Sequence, residues 1–402
     1  MESLQLMGRS TPTRLPGTPA STLRHERWKY RAVPTATTAP ELSLRALNRA
    51  LMRRQLLDAR SPMPIADALE YLVGLQAQAP GPPYVALWSR LQDFDPSALG
   101  QMLLDREAVR IALMRSTIHL VTARDALYLR PLLQPVLDRA VGGYYKRNLH
   151  GADPNKIAEA GRKLVEDEPL TLNAIGTALA KRWRRRDPHA LAQAVRARVP
   201  LVQVTPRGVW GASGAAAHTS IEAWLGRGLD PEPDPKDMLL RYLRAFGPAS
   251  ILDVQTWSGL TRLREPIEAM RTKLRSFRGP GGTELLDVPD GDLPDPDVPL
   301  PARFLGEFDN LLLSHSDRSR VISEEHRKRI ATRNGMVPGA VLVDGWFAGI
   351  WRLERRGARR VLVVEAYRRL SKREAADVTE EAGSLYEMLA PGLGHEIEMK
   401  NG

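Results

Sequence analysis

The sequence changes from a helical pattern to a proline-rich one at Leu75-Gln76-Ala77-Gln78-Ala79-Pro80. Upstream of it, apolar residues recur at helical spacing; they are Ile65, Ala68, Leu69, Leu72 and Val73. One more turn of this stripe reaches Gln76, so an amide stands where the pattern asks for an apolar side chain. Pro80 and the prolines after it prevent the helix from continuing. The pattern predicts two glutamines in the last turn of a helix, and the simplest interpretation is that they bond its unpaired carbonyls.

Composition limits the kind of protein this can be. The 402 residues are enough for two to four domains, and a formal net charge of +11 suits a polyanionic partner. The chain has no cysteine, which excludes disulfides, thiolate catalysis and cysteine-ligated zinc. The eight histidines show no metal-binding spacing, so neither a metal nor a cofactor is predicted. No run of about 18 apolar residues is present, so no membrane span is expected.

The first ordered segment reads as three helices followed by a β-hairpin. Its third helix is predicted over residues 96–104, and its strands over residues 109–114 and 117–121. This order is typical of a winged helix, a helix-turn-helix variant.

The same order recurs twice more, at intervals of about 80 residues. In the second copy a basic run, residues 181–186, precedes a third helix over residues 189–199 that carries Arg196 and Arg198. Its hairpin is predicted at residues 201–204 and 209–210. In the third copy the third helix is predicted over residues 261–277.

The last quarter of the chain has a different pattern. Asp344-Gly345 predicts a tight hairpin turn, because both residues tolerate positive φ. A second hairpin is predicted with its basic tip at Arg355 and Arg356, and Ser371 caps a final helix.

The predicted fold class is therefore α+β, with tandem winged-helix (helix-turn-helix) domains and a C-terminal β-rich module. The predicted divisions are a disordered basic tail (1–40), three winged helices (41–150, 151–228 and 229–300) and the β-rich module with its basic hairpin and terminal helix (301–402).

Standard catalytic signatures are missing from the sequence. Neither a phosphate-binding glycine loop nor a Gly-x-Ser-x-Gly motif is found. The run Ser314-His315-Ser316-Asp317 holds a hydroxyl, an imidazole and a carboxylate, but adjacent positions do not make a triad, so a structural role is predicted. Basic third helices on winged helices indicate a nucleic-acid binder, for which a transcriptional regulator is one possibility.

Five stretches, taken in order, resemble the AlkZ-like (YcaQ-type) winged-helix DNA glycosylases over roughly residues 42–389. They are Arg53-Arg54-Gln55-Leu56-Leu57, Gln76-Ala77-Gln78, Met114-Arg115-Ser116-Thr117-Ile118-His119-Leu120-Val121-Thr122, Phe308-Asp309-Asn310-Leu311-Leu312-Leu313-Ser314-His315-Ser316-Asp317-Arg318, and Gly345-Trp346 with Gly349-Ile350-Trp351-Arg352. In that family the Gln-apolar-Gln motif carries catalysis, which implies that Gln76 and Gln78 are catalytic.

The resemblance implies a monofunctional DNA glycosylase that removes N7-alkylated purines and unhooks interstrand crosslinks, in repair or in self-resistance to a DNA-alkylating natural product. The implied partner is double-stranded DNA carrying such lesions, bound by a monomer in the bacterial cytoplasm without a cofactor. The alternative is a non-catalytic winged-helix transcriptional regulator.

Further residues are predicted to contact DNA or to support the glutamines: Arg115, Ser116, Thr117 and His119. For His119 an ordinary strand position is an equally good interpretation. Arg355 and Arg356 are predicted to reach a groove or the phosphates, with a solvated hairpin as the alternative.

Overall fold

The computed structural model describes residues 39–142, 144–149, 151–330, 335–392, 394 and 396–401. The tail predicted at residues 1–40 lies outside the described residues except for its last two. There the Pro40 carbonyl accepts a hydrogen bond from Arg278 N (2.9 Å), and Leu42 N donates to the Arg278 carbonyl (2.8 Å). The described chain therefore begins fixed against a distant segment.

The first unit holds helices and three short strands in mixed order. Its elements are α1 (Leu44–Arg54), α2 (Ile65–Tyr71), β1 (Leu75–Gln76), α3 (Pro82–Trp88), α4 (Pro96–Leu104), β2 (Ala108–Ala112) and β3 (Ile118–Thr122). Three connecting helices follow: α5 (Ala123–Leu132), α6 (Gln134–Ala140) and α7 (Tyr144–Asn148). Pro82 and Pro83 stand at the first positions of α3, where a missing N–H costs nothing.

Two further units repeat this order. The second consists of α8 (Pro154–Asp167), β4 (Leu170–Thr171), α9 (Leu172–Arg182), α10 (Pro188–Arg198), β5 (Leu201–Gln203), β6 (Ala217–Ser220) and α11 (Ile221–Leu225). The third consists of α12 (Pro235–Phe246), α13 (Ile251–Ser258), α14 (Arg264–Glu268), β7 (Arg275–Arg278) and β8 (Glu284–Asp287). In the third, Ala249 bridges to Leu286 in place of the short strand. With α1 set aside as an additional helix of the first unit, each unit thus runs helix, short extended segment, two helices, hairpin.

The first two units share one six-stranded sheet, in the order β1-β3-β2-β5-β6-β4. They join where β2 pairs antiparallel with β5, Ile111 opposite Val202. Both of these side chains are fully buried, so the joint is part of the main core. The predicted boundary near residue 150 remains a prediction, but the two units are continuous through the sheet.

The C-terminal module is a five-stranded sheet covered by a long helix. Its elements are β9 (Arg303–Leu305), α15 (Glu324–Ile330), β10 (Gly339–Val343), β11 (Trp346–Arg356), β12 (Arg359–Ala366), α16 (Lys372–Leu389) and β13 (Ile397–Asn401). The strand order is β13-β12-β11-β10-β9. Asp344 and Gly345 have φ of 49° and 78°, as the predicted turn requires. The α+β class is therefore confirmed. No helix among the described residues is long and apolar enough to span a membrane.

Buried ion pairs link the units. Arg54 on α1 bonds both carboxylate oxygens of Asp287 (2.6 and 2.8 Å), and Arg90 bonds both of Asp309 (2.8 and 2.9 Å). All four side chains are at most 2% exposed. Removing one partner of such a pair leaves an uncompensated buried charge, which costs about 3–5 kcal/mol. These pairs therefore fix how the N-terminal helices meet the third unit and the C-terminal module.

Two predicted elements away from the glutamines are wrong. The helix predicted over residues 261–277 is a short helix, a 3-10 turn and a strand, although Leu263, Ile267, Met270 and Leu274 are all buried. An irregular turn satisfies the same spacing of apolar residues. In the hairpin predicted at residues 201–204 and 209–210, the second strand is also wrong, because β5 pairs with β6 at residues 217–220. Trp210 instead packs against Tyr84, with ring centroids 4.7 Å apart.

Candidate active site

Gln76 lies in a strand and not in the last turn of a helix, which corrects the expectation from the sequence. Helix α2 ends at Tyr71, and the chain then turns through Val73 and Gly74, with φ of 56° and 83°. A Cβ at residue 74 would stand 2.4 Å from Val121 Cγ1, so only glycine fits. The turn directs the chain into β1, which pairs with β3. The residues on both sides of the turn are buried, so the spacing of apolar residues continues into the strand and wrongly predicted a helix.

Gln76 faces His119 directly across the sheet edge. The backbone bond falls at the neighbouring position, from Ala77 N to the Ile118 carbonyl (2.7 Å). Gln76 and His119 are therefore a non-hydrogen-bonded pair on one face of the sheet, the arrangement that brings side chains closest. Gln76 is 7% exposed, whereas Gln78, beyond the end of the strand, is exposed.

Arg115 fixes the Gln76 amide. The guanidinium Nη2 donates to Gln76 Oε1 (2.7 Å), and Nη1 donates to the Trp257 carbonyl. Because a guanidinium only donates, the atom facing it must be the amide oxygen, and the NH₂ group points elsewhere. Burial lowers the pKa of Arg115 to about 10, with a smaller contribution from the nearby Arg318 charge. Arg115 therefore remains charged at neutral pH.

Gln78 is held in a similar way by the backbone. Its Oε1 accepts from Ile118 N (3.1 Å), and the Ala77 carbonyl beside it accepts from Arg110 Nη2 (2.7 Å). Side chains thus replace one strand hydrogen bond, the return bond from Ile118 N to the Ala77 carbonyl. Both glutamine oxygens are turned towards protein donors, at the open edge of the six-stranded sheet.

The turn before β3 is held by hydrogen bonds to other parts of the protein and within the turn itself. Ser116, with φ of 58°, is held by Arg196, which donates to its hydroxyl (3.1 Å) and its carbonyl (2.6 Å). The Thr117 hydroxyl donates to the Met114 carbonyl (3.0 Å). Ser116 and Thr117 are therefore both bonded within the protein, the Ser116 hydroxyl as an acceptor and the Thr117 hydroxyl as a donor.

His119 is fully buried (0% exposed), so its side chain has no surface to offer DNA. Burial, with a smaller contribution from the Arg115 charge, lowers its pKa to about 3. The neutral ring lies with Nδ1 3.1 Å from the Thr117 carbonyl, which makes Nδ1 the protonated nitrogen. Nε2 is then an acceptor, and it has no partner among the described residues.

Arg355 and Arg356 lie on the other sheet, at the tip of the β11–β12 hairpin. Both are exposed. Arg356 is paired with Glu354 and with Glu398, each at 2.7 Å, whereas among the described residues the Arg355 guanidinium bonds only the Gly357 carbonyl (3.2 Å). The tip is therefore accessible, but half of its predicted charge is matched by carboxylates.

Two further residues that sequence reasoning did not assign belong to the site. Arg110 is 1% exposed and holds the Ala77 carbonyl. Asn310 is 3% exposed, and its Nδ2 donates to the Gly74 carbonyl (2.9 Å) at the turn into β1. The second contact spans 236 residues, so no local pattern could have predicted it.

The Ser314–Asp317 run has the structural role that was predicted. His315 is 1% exposed, and its Nε2 lies 3.1 Å from the Phe246 carbonyl. The Ser316 hydroxyl donates to Asp253 Oδ1 (2.8 Å). No hydroxyl, imidazole and carboxylate of this run bond to one another in the described contacts.

Known proteins resemble this chain in sequence and in overall fold. A sequence model of the family described as DNA glycosylase AlkZ-like matches residues 69–388. An interstrand DNA cross-link repair glycosylase of Streptomyces sahachiroi is 25% identical over 335 residues, covering 75% of this chain and 85% of that protein. The solved structure of Streptomyces sahachiroi DNA glycosylase AlkZ superposes with a TM-score of 0.72 at 20% identity, covering 90% of this chain and 100% of that one.

The chain belongs to the AlkZ-like family of DNA glycosylases. Enzymes of this class hydrolyse N-glycosyl bonds, so the predicted family and the predicted enzyme class are both confirmed. The non-catalytic regulator is set aside.

Proposed function

We propose that this glycosylase removes N7-alkylated purines from double-stranded DNA and unhooks interstrand crosslinks, with Gln76 and Gln78 as its catalytic residues. The observation that carries the proposal is the pair of amides at the edge of one sheet. Gln76 is clamped by Arg115, and Gln78 by the Ile118 N–H. The name of the Streptomyces relative, a cross-link repair glycosylase, supports the substrate class.

Neutral amides suit this chemistry. An N7-alkylated purine carries a positive charge, so it takes the electron pair of the broken glycosidic bond and leaves as a neutral base without a general acid. The sugar passes through an oxocarbenium-like state, and water then adds at C1′ and loses a proton. An amide is too weak a base to remove that proton early, but its oxygen can orient the water and stabilise the developing positive charge.

The hydrogen bonds leave capacity for this role. An amide oxygen has two lone pairs, and each glutamine oxygen uses one on a protein donor, so a second remains for water. Fixed dipoles act more strongly than mobile ones because they need no reorganisation during the reaction. The Arg115 charge would by itself oppose a cationic sugar, so its contribution is to orient Gln76.

An exposed Gln78 at a sheet edge also suits a bulky substrate. A crosslinked base is tied to the opposite strand and cannot be flipped into a closed pocket. A site reached from the groove avoids that step. We further propose that the three repeated units are winged helices, since each has their element order. On this proposal Arg355 and Arg356 contact DNA, and the protein acts as a monomer in repair or self-resistance.

The test is excision from a duplex with a single N7-methylguanine. Wild-type protein should release the base and leave abasic sites that break in hot alkali. A duplex with an N7-linked interstrand crosslink should be converted to two separable strands. Intact N7-methylguanine DNA after prolonged incubation with folded, DNA-bound protein would overturn the proposal.

A further inference from the structure

Four exposed cations cluster at the turn between α9 and α10: Lys181, Arg182, Arg184 and Arg185. None of the four makes an ion pair with any residue that the structure describes. The Arg182 guanidinium lies 4.7 Å from the centroid of the Trp183 ring, which anchors the turn to the core of the second unit. The carboxylate of Asp187 is occupied, because it caps α10 by accepting from His189 N (3.0 Å).

The corresponding turns of the other two units lack such a cluster. Between α3 and α4, Arg90 is buried against Asp309, while Asp93 and Asp95 add negative charge. Between α13 and α14, residues 259–263 contain one cation, Arg262. The strongly cationic turn is therefore a specific property of the second unit.

Helix α10 behind this turn has little exposed surface to offer a DNA groove. Most of its residues are buried, namely Ala190, Leu191, Ala192, Ala194, Val195 and Ala197. Arg196 is bonded to Ser116, and Arg198 is bonded to Asn155 and lies near Asp138. Arg196 and Arg198, whose charges suggested a DNA-binding helix, thus form bonds inside the protein. The second unit instead presents the turn before α10 to a partner.

We propose that Lys181, Arg182, Arg184 and Arg185 form a phosphate-binding surface for the duplex that flanks the lesion. This inference rests on the proposed DNA substrate. Arginine binds phosphate oxygens well because its donors form a fixed fork. Because α10 does not contact base edges on this proposal, these side chains contact only the sugar-phosphate backbone of DNA. The contact is therefore independent of base sequence. Sequence independence suits an enzyme that must act wherever a lesion arises.

Helix α10 connects this surface to the residues that hold the glutamines. At about 1.5 Å per residue, the nine residues from Asp187 to Arg196 span roughly 14 Å of α10. Arg196 holds Ser116, the neighbour of Arg115, which holds Gln76. At about 3.4 Å per base pair, α10 alone has the length of about four base pairs of duplex, and the side chains between Arg196 and Gln76 add to that separation. On the proposal, the surface therefore meets phosphates of the flanking duplex and not those of the lesion itself.

The test compares two triple variants with equal loss of charge. The first is R182Q/R184Q/R185Q. The control is R369Q/K372Q/R373Q, which removes three exposed cations at the start of α16. Binding of an N7-methylguanine duplex is measured by fluorescence anisotropy at several salt concentrations. The first variant should lower the salt slope by up to about 2.7, since each lost phosphate contact lowers it by about 0.9, and raise Kd about tenfold or more. Excision at saturating protein should not change.

Two duplexes with unrelated flanking sequences should show the same loss of affinity. An unchanged slope, a fall no larger than that of the control, or a loss confined to one sequence would overturn the proposal. If wild-type protein excises the base normally but the triple variant has an unchanged slope, only the phosphate-binding surface is ruled out. If wild-type protein shows no excision but the triple variant shows the expected fall in slope, the proposed glycosylase substrate is ruled out and the phosphate-binding surface is supported.

Discussion

Arg115 and Gln76, 39 residues apart, are joined by a 2.7 Å hydrogen bond from the guanidinium to the amide oxygen. Arg115 is itself held by the Trp257 carbonyl and has the left-handed backbone values φ 55° and ψ 18°. The candidate catalytic amide is therefore oriented by a residue from another loop, which is in turn fixed by the third unit. Catalysis on this account depends on contacts between units as well as on the motif.

Replacing Arg115 tests this orientation. Arg115→Ala should lower the single-turnover excision rate by about 10- to 100-fold, because a hydrogen bond from a charged group contributes about 1.5–3 kcal/mol. Affinity for undamaged duplex should change far less. Arg115→Lys should recover part of the rate, since an ammonium can donate to one of the two oxygens. A rate loss explained wholly by weaker DNA binding would contradict the positioning role.

The turn at Gly74 offers a test of how the site is built. Gly74→Ala should destabilise the protein by about 1–3 kcal/mol, because the new Cβ would overlap Val121 and a positive φ strains any other residue. Gly81→Ala is the matched control, since its φ is −71° and nothing lies within 4 Å of its Cβ position. Urea unfolding measures both. Equal stability of the two variants would show that β1 does not need this turn.

Buried His119 should give the protein a pH-dependent stability. Burial lowers its pKa from 6.5 to about 3, so the native ring stays neutral while the unfolded chain binds a proton below pH 6.5. The unfolded state then holds more protons between about pH 6.5 and pH 3, so stability falls as pH decreases through that window, by up to about 1.4 kcal/mol per pH unit. His119→Gln should remove that contribution, giving a shallower loss of unfolding free energy from pH 7 to pH 5. If the unfolding free energy of the variant and of the wild type depends on pH with the same slope, the His119 imidazole is exposed to water in the folded protein.

The hairpin tip should contribute unequally to DNA binding. Arg355→Ala should lower the salt slope of duplex binding by about 0.9, the value for one phosphate contact. Arg356→Ala should lower it less, because Glu354 and Glu398 already neutralise that guanidinium. Anisotropy titrations over a range of salt measure both. If neither variant changes the slope, the hairpin faces solvent, which was the alternative interpretation of its sequence.

The sequence predicted the elements whose pattern is local. Helix α4 was predicted with its observed bounds, and strands β2 and β3 to within two residues. The secondary structure at Gln76 was mistaken because Leu72, Val73, Leu75 and Ala77 are buried in either a helix or a strand. What decides between them is the clash at Gly74 with Val121, which is 47 positions away and invisible in a local window.

The candidate site was predicted as a set of residues but not as an arrangement. Gln76, Gln78, Arg115 and Ser116 do lie together. Their roles depend on Trp257, Arg196 and Asn310, which approach from other units. In the last turn of a helix, a Gln76→Ala change would cost little stability, because alanine favours helices. In the structure that change leaves Arg115 without an acceptor, so stability should fall.

The most direct test of the account is single-turnover excision of N7-methylguanine by the Gln76→Ala/Gln78→Ala double variant at saturating protein. Each single alanine variant should lose roughly tens- to thousands-fold in rate, as removal of one positioned polar group does in other enzymes. The double variant should retain DNA binding and show no excision above background. Gln78→Asp should stay active, because a carboxylate can hold the same water and stabilise the cation. Excision by the folded double variant at the wild-type rate would contradict the central claim that these two amides perform the chemistry.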